Sequence, residues 1–403
     1  MTQTDSELGR SLMIERGMQW LYAHGGDPYA VLLRAEGVDR NALVGQIHEL
    51  GPLYRSRTEA WVTGDRVLGR EVLADPRLVS RVPGGLSEGH VLRQCEALPD
   101  LSAVEHDRLR ERPELNLSAG VVERICDEAL GRIDGAFDLT ADVLRPVLAG
   151  SASELLAVPS VERDTFSSWC QSAGGALDAA LCPPKLAHAR VLMNAVGHLR
   201  SLVGRVAGPD EDRFAAGMLV SVVGVEVAAN VVANSMLALL DQPGQWRLLC
   251  EDPGLAEAAV EETLRYDPPV RLDSRGARED LTLAGQQVDA GSEVVVCIDA
   301  ANRYPGLHRS SDGFDVRRAS AADHLSLSGR PHLDLVAPLV RTSTVVVLRL
   351  LATRLPQIRR TGSVVHRLRA PVTHSIVRFP VTACARSHEE LVTYREGFPQ
   401  CES

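Results

Sequence analysis

The distribution of apolar residues predicts a mostly α chain with a small β portion placed late. Three observations carry this. The segment Ala215–Leu240 is almost continuously apolar and far too long for a strand, so it reads as the central helix of a large helical domain. Short β-like runs gather in only three places, near residues 53–64, 268–298 and 363–383. Helical patterning fills most of the rest and ends with a strong helix from about Asp334 to Leu355. No internal repeat or low-complexity tract divides the chain. It is expected to be a single domain over residues 1–403, with an N-terminal helical segment (1–30) and a C-terminal tail (384–403).

Taken in order, Asp5 to His24 predicts a helix stopped by Gly25-Gly26. Its apolar residues do not form one stripe. At roughly 100° per residue, Leu8, Leu12, Met18 and Tyr22 share an arc while Met13 and Trp20 point well away from it. Such a helix is either covered on both sides by its own fold, the expectation here, or left on one side for another chain. Residues 55–75 predict a strand pair followed by a helix that Asp65 opens. Asn230, Asn234 and Ser235 place the long central helix inside protein rather than lipid. A helix from Glu251 to Leu264 ends at Tyr266-Asp267-Pro268-Pro269, where two prolines stop it. Leu281-Thr282-Leu283-Ala284-Gly285 then predicts a strand and turn that return through Gly291 to Val296.

Composition narrows the function. A net charge of -10 argues against nucleic acid and anionic membrane surfaces as partners. No run of about 18 consecutive apolar residues predicts a transmembrane helix, and the polar start lacks the features of a signal peptide. The eight cysteines show no C-x-x-C spacing, so they read as thiols of a reducing cytoplasm, with neither a disulfide frame nor a metal site. Lys185 is the only lysine in the chain.

Four segments carry the chemistry. Val260-Glu261-Glu262-Thr263-Leu264-Arg265-Tyr266-Asp267-Pro268-Pro269 holds an E-x-x-R, whose Glu262 and Arg265 share a helix face and can pair. Phe314-Asp315-Val316-Arg317-Arg318 follows at a distance. Val223-Gly224-Val225-Glu226-Val227-Ala228 lies in the long helix, and His106-Asp107-Arg108-Leu109-Arg110 lies early. Together with His324-Leu325-Ser326-Leu327-Ser328-Gly329-Arg330-Pro331-His332-Leu333-Asp334-Leu335-Val336, these resemble cytochrome P-450 proteins in order and spacing over residues 55 to 380.

The resemblance implies a cytochrome P-450-like fold with an altered haem loop. That loop reads F-G-x-G-x-H-x-C-x-G in the family. Here His332 and the later Arg341 remain, but Leu327, Ser328, Arg330 and Val336 stand for the Phe and glycines, and Asp334 stands for the Cys. A carboxylate cannot supply the electron push of a thiolate. Val227 stands for the Thr that helps deliver protons to bound oxygen, and valine has no donor or acceptor. Glu226 keeps the family's acid. Glu262, Arg265 and Arg318 match a structural ion-pair cluster. His106 and Arg110 match the H-x-x-x-R that grips haem propionates. Pro113 follows within a turn, so the pair is expected on a solvated basic helix face, with a residual anionic pocket as the alternative.

Loss of the haem and oxygen signatures together implies that no cofactor is bound and no metal held. The resemblance extends to the haem-free auxiliary proteins of antibiotic-pathway glycosyltransferases, through Leu8–Trp20, Gly26-Asp27-Pro28-Tyr29 and Arg55–Val62. It implies a non-catalytic, cytoplasmic protein that binds and activates a glycosyltransferase transferring a deoxyaminosugar to a macrolide-type aglycone. A homodimer or heterotetramer is implied as well. Partner-binding candidates are Met13, Met18, Trp20, Tyr22 and Tyr29, on the enrichment of Met and aromatics at interfaces. Two other readings stay open. One is a monooxygenase with His332 or Asp334 on the iron. The other is a small-molecule binding protein using the emptied cavity, with His106 and Arg110 reading an anion.

Overall fold

Capping residues set where the helices begin. The computed structural model describes residues 4–34, 40–79, 98, 101–303, 313–319, 321, 323–329 and 332–384. Helix α1 (Asp5–His24) opens on a capping box, in which Thr4 Oγ1 accepts from the Glu7 N–H and the Glu7 carboxylate accepts from the Thr4 N–H. After α2 (Pro28–Arg34) and α3 (Arg40–Glu49) come the strand pair β1 (Tyr54–Arg55) and β2 (Trp61–Thr63), and then α4 (Arg66–Ala74). Asp65 caps α4 by accepting from the Leu68 N–H at 2.9 Å, as its sequence position predicts. Beyond β3 (Leu78–Val79), α5 (Ala103–Arg110) carries its own capping box from Ser102 and Glu105.

The helical body follows: α6 (Ala119–Leu130), β4 (Asp134–Asp138), α7 (Arg145–Leu155), α8 (Arg163–Ala173), α9 (Ala176–Leu181) and α10 (Leu186–Ala207). Its axis is α11 (Glu211–Asp241), the central helix the apolar run predicts, with one π-helical turn at Val220–Gly224. Helix α11 and the late helix α15 (Leu333–Arg354) are each long and apolar enough to cross a membrane, yet most of both is buried in the protein. Polar groups on α11 are matched inside: Asn230 donates to Ser375, Asn234 to the Asp267 carbonyl and Ser235 to the Val231 carbonyl. The main core gathers on α11, with Val227, Val231 and Met236 fully buried beside Leu348 and Leu351 of α15.

Helix α12 (Pro243–Glu251) and α13 (Ala256–Tyr266) divide what the sequence suggests as one helix from Glu251. Asp252-Pro253-Gly254 breaks it, with Asp252 capping the short turn that follows. The main sheet has the order β1-β2-β8-β5-β3, built on β5 (Leu272–Ala277) and β8 (Glu293–Cys297). Among its described strands only β2 and β8 run parallel, with Trp61 opposite Val294. Strand β6 (Leu281–Leu283) turns at Ala284-Gly285 but returns as β7 (Gln286–Val288), not through 293–296. That later stretch is β8, drawn away by pairing with β5 and β2. A second, smaller core of Leu68, Val72, Val294, Val296 and Leu325 lies against this sheet. The chain continues through α14 (Ile298–Asn302) and α15 to β9 (Arg359–Arg360), β10 (Val365–His366), β11 (Ile376–Arg378) and β12 (Pro380–Cys384), where β4, β12 and β9 form a three-stranded sheet.

Helix α1 is covered on one side only. Leu8, Leu12 and Ala23 are buried against the fold, while Met13, Ile14, Met18, Trp20 and Leu21 are exposed, Met13 by 70% and Trp20 by 55%. The expectation of burial on both sides is therefore overturned. The arc shared by Leu8, Leu12, Met18 and Tyr22 is itself divided, Leu8 and Leu12 facing the fold while Met18 is exposed and Tyr22 half-buried. The covered side also holds Gln19, whose amide donates to the Leu181 carbonyl at 2.7 Å. On its inner side α1 meets the start of α10, whose N-cap is the exposed Lys185: a Cβ on Gly9 would touch Leu186, and Asp5 pairs with Arg190.

Candidate functional site

Helix α5 brings His106 and Arg110 to the first turn of α15. His106 is almost completely buried, and its Nε2 lies 3.0 Å from the Asp334 carboxylate. Arg110 Nη2 donates to Asp334 Oδ2 at 2.8 Å from a largely exposed position. The His–Asp contact is the stronger tie, because the imidazole is dry while the guanidinium pair is screened by water. Asp334 also gains from the helix dipole at the start of α15. A buried carboxyl lies close by. Burial pushes Asp273 up, Arg275 at 2.9 Å offsets this, and Asp334 adds to the upward push. The expectation of a solvated basic face fails for His106. Arg110 is as exposed as that expectation has it, and the residual pocket given as the alternative is taken up by the chain's own Asp334 carboxylate. Pro113 ends α5 early without spoiling this, since only the two residues one turn apart are needed.

His332 is the N-cap residue of α15 and makes no side-chain cap bond there. In the preceding loop Leu327 adopts φ 54°, a left-handed conformation unfavourable for leucine. Arg330 lies outside the described residues.

A second polar centre sits on α11 two residues after the π turn. Glu226 is buried and meets Arg367 Nη2 at 2.8 Å and Arg145 Nη1 at 3.4 Å, and it accepts from Ser375 Oγ at 2.8 Å. Burial alone would raise its carboxyl, but the two arginines outweigh that and hold it below its ordinary value. Asp178 of α9 extends the network, accepting from the Val372 and Thr373 N–H groups at 2.9 Å each and from Thr373 Oγ1 at 2.6 Å. Burial pushes Asp178 up to about 6 despite these bonds. The space beside Glu226, lined by Arg145, Cys170 and Gln171, measures about 10 Å3, enough for no more than a single water. Val227, the next residue, is fully buried among apolar neighbours. Sequence reasoning found Glu226 but missed Asp178, Arg145, Arg367 and Ser375, which come from α9, α7 and the β10–β11 hairpin and share no spacing signal.

Glu262, Arg265 and Arg318 meet as the sequence predicts. Arg265 donates twice to the Glu262 carboxylate at 2.8 Å, both side chains being fully buried, and Arg318 Nε adds bonds at 3.1 Å. The cluster fastens α13 to the 313–318 segment, where Glu262 also accepts the Asp315 N–H. Beside it, Arg341 of α15 donates to Glu261 at 2.6 Å, and His324 Nε2 lies 3.0 Å from the same carboxylate. Burial would raise Glu261, but His324 and Arg341 bring it down to about 2. Of the interface candidates, Met13, Met18 and Trp20 are exposed and Tyr22 is half-buried. Tyr29 is 1% exposed, so it is withdrawn as a partner residue: its ring is part of the main core.

These residues do not fit a haem. In haem the iron and the propionates are held apart by the width of the macrocycle. Here the residue at the iron-ligand position touches the residues at the propionate positions. The carboxylate at 334 offers no thiolate, and its oxygens are already bonded. The reading of His106 and Arg110 as readers of a foreign anion meets the same obstacle.

Comparison with known proteins agrees with this architecture. The family model "Cytochrome P450" matches residues 253–328. The chain is similar to Protein AknT of Streptomyces galilaeus, at 41% identity covering 95% of this chain and 97% of the relative. Protein DesVIII of Streptomyces venezuelae is 36% identical over 94% of each. Cytochrome P450 family protein EryCII of Saccharopolyspora erythraea is 32% identical over 94% of this chain and 99% of the relative. Among solved structures, ligand-free CYP164A2 of Mycobacterium smegmatis superposes with a TM-score of 0.75 at 28% identity, covering 88% of this chain and 99% of the other. With its full-length relatives, a helical body on one central helix, and the Glu262–Arg265–Arg318 cluster in place, the chain belongs to the cytochrome P450 family.

Proposed function

We propose that this member of the family is a haem-free, non-catalytic partner that binds and stabilises a glycosyltransferase working on a deoxysugar and a polyketide aglycone. One observation carries the loss of oxygenase chemistry: the Asp334 carboxylate stands where a thiolate would be and is engaged by His106. Val227 supports it, since no hydroxyl stands on α11 at the position of the oxygen-assisting Thr. The role toward a transferase rests on the likeness of the Leu8–Trp20 and Arg55–Val62 stretches to the auxiliary subgroup, and on similarity to AknT and DesVIII over nearly the whole chain. The partner would touch no sugar here. It would bind the active conformation of the transferase and shift its population. At a hundred times its dissociation constant such a partner contributes about 2.7 kcal/mol.

The docking surface we assign is the outward face of α1, which carries the exposed Met13, Met18 and Trp20. The test is co-expression with a deoxysugar glycosyltransferase of a polyketide pathway, in cells supplied with haem precursor. Co-purification without a Soret band supports the proposal. A full-occupancy Soret band overturns the haem-free part, and failure of the transferase to co-purify overturns the partner part. Replacing Met13, Met18 and Trp20 together by serine should abolish co-purification while lowering stability by no more than about 1.5 kcal/mol, roughly 0.5 for each exposed position.

A further inference from the structure

We propose that Asp334 is an internal anion that fills the grip formed by His106 and Arg110, so that the chain itself supplies the carboxylate this grip is built to hold. The proposal goes beyond the partner role and is independent of it. Three observations meet at this point. His106 is 1% exposed, so its ring nitrogen needs a protein partner, and the Asp334 carboxylate is 3.0 Å away. Asp334 is held from two sides, with Arg110 at 2.8 Å, and lies on the first turn of a 22-residue helix that favours an anion. The tie also crosses the fold. It joins α5, an eight-residue helix ended by Glu111 and Pro113, to α15, which packs on α11 at the π turn, where a Cβ on Gly224 would lie 3.4 Å from Leu339. A short helix of this kind has little stability of its own and keeps its place by such contacts.

The arrangement has a chemical consequence. A grip already neutralised from within offers no charge to a carboxylate or phosphate from solution. Deleting the internal carboxylate should therefore do two things at once. It should uncouple His106 from the fold, and it should open the grip to a small anion. Two other carboxylates lie nearby and do not cancel the effect: Asp273 is paired with Arg275, and Asp107, 3.5 Å from the other His106 ring nitrogen, is exposed and screened by water.

The test uses the full chain without any transferase. Urea unfolding of the wild type, Asp334→Ala, His106→Leu and the double variant forms a cycle. Losing His106 should change the unfolding equilibrium about tenfold more in the wild type than in Asp334→Ala. Inorganic phosphate should raise the melting midpoint of Asp334→Ala more than that of the wild type or the double variant. If Asp334→Ala does not fold, Asp334→Asn removes the charge but keeps the shape, and the same cycle and phosphate titration are run on it. Additive losses in the cycle, or equal phosphate shifts in all forms, would overturn the proposal. So would a stoichiometric Soret band on titrating the wild type with hemin, since the grip would then yield to an outside carboxylate.

Discussion

Gly174 offers a sharp test of how tightly the Glu226 network is packed. The residue ends α8 with φ -59° and ψ -13°, a conformation alanine adopts freely, so Gly174→Ala adds only a methyl group. That methyl would stand 2.7 Å from Glu226 Cδ, closer still to Oε2, and 3.1 Å from Arg367 Nη2. Neither neighbour is a loose chain end. The Glu226 carboxylate is buried and held by Ser375, Arg367 and Arg145, and Arg367 donates to the Gly174 carbonyl at 2.6 Å. If the network shifts intact, overpacking costs about 1–3 kcal/mol. If the carboxylate loses an arginine, the cost approaches the roughly 3–5 kcal/mol of a broken buried pair. We expect about 3 kcal/mol, read as a fall in the urea midpoint with unchanged slope. Gly175 is the control: a Cβ there meets nothing within 4 Å, so Gly175→Ala should stay within about 0.5 kcal/mol. Removing the obstacle is the second control, and in a Glu226→Ala background Gly174→Ala should cost less than about 1 kcal/mol. Equal effects at 174 and 175, or the same cost in both backgrounds, would refute the reasoning.

Other consequences can be checked in the same assays. Arg265→Leu should destabilise by about 3–5 kcal/mol, because it leaves the fully buried Glu262 short of its principal partner. Val227→Thr conserves shape but buries a hydroxyl among apolar neighbours, so thermal unfolding should show a loss of about 1 kcal/mol. Asp178 gives a pH signature. Burial raises its folded value to about 6, above the unfolded value near 4, so its favourable contribution is present below about pH 4 and is lost as pH rises through 6. Asp178→Asn should flatten this fall, and a wild-type-to-variant difference that does not change between pH 4 and 7 would contradict it.

The features legible in sequence were those written locally. The apolar run of α11 reported its own burial, Asp65 its cap, and Glu262 with Arg265 their shared helix face. The His106–Asp334 tie was not legible, because it spans 228 positions and a histidine in a charged octapeptide looks solvated. The Glu226 network failed for the same reason, being assembled from segments with no common period. Helix α1 misled in another way. A helix with apolar residues spread around most of its circumference has no single stripe, and periodicity alone cannot tell which of them the fold covers. The return strand after Gly285 was misassigned because two β-rich candidates followed, and tertiary pairing with β2 claimed the second.

Lys185, at the start of α10, gives the molecule an unusual chemical address. It carries the only side-chain amine in the chain, it is exposed, and it stands beside the inner edge of α1. Every other basic side chain apart from histidine is a guanidinium, which keeps its charge across the biological pH range. A lysine-modifying enzyme therefore has one side-chain target in this sequence, at the covered side of the helix whose outward face is assigned to the partner. A cross-link mapped to Lys185 measures the distance to whatever docks on α1 from a known side chain, and acylating that side chain leaves the 42 guanidinium charges untouched.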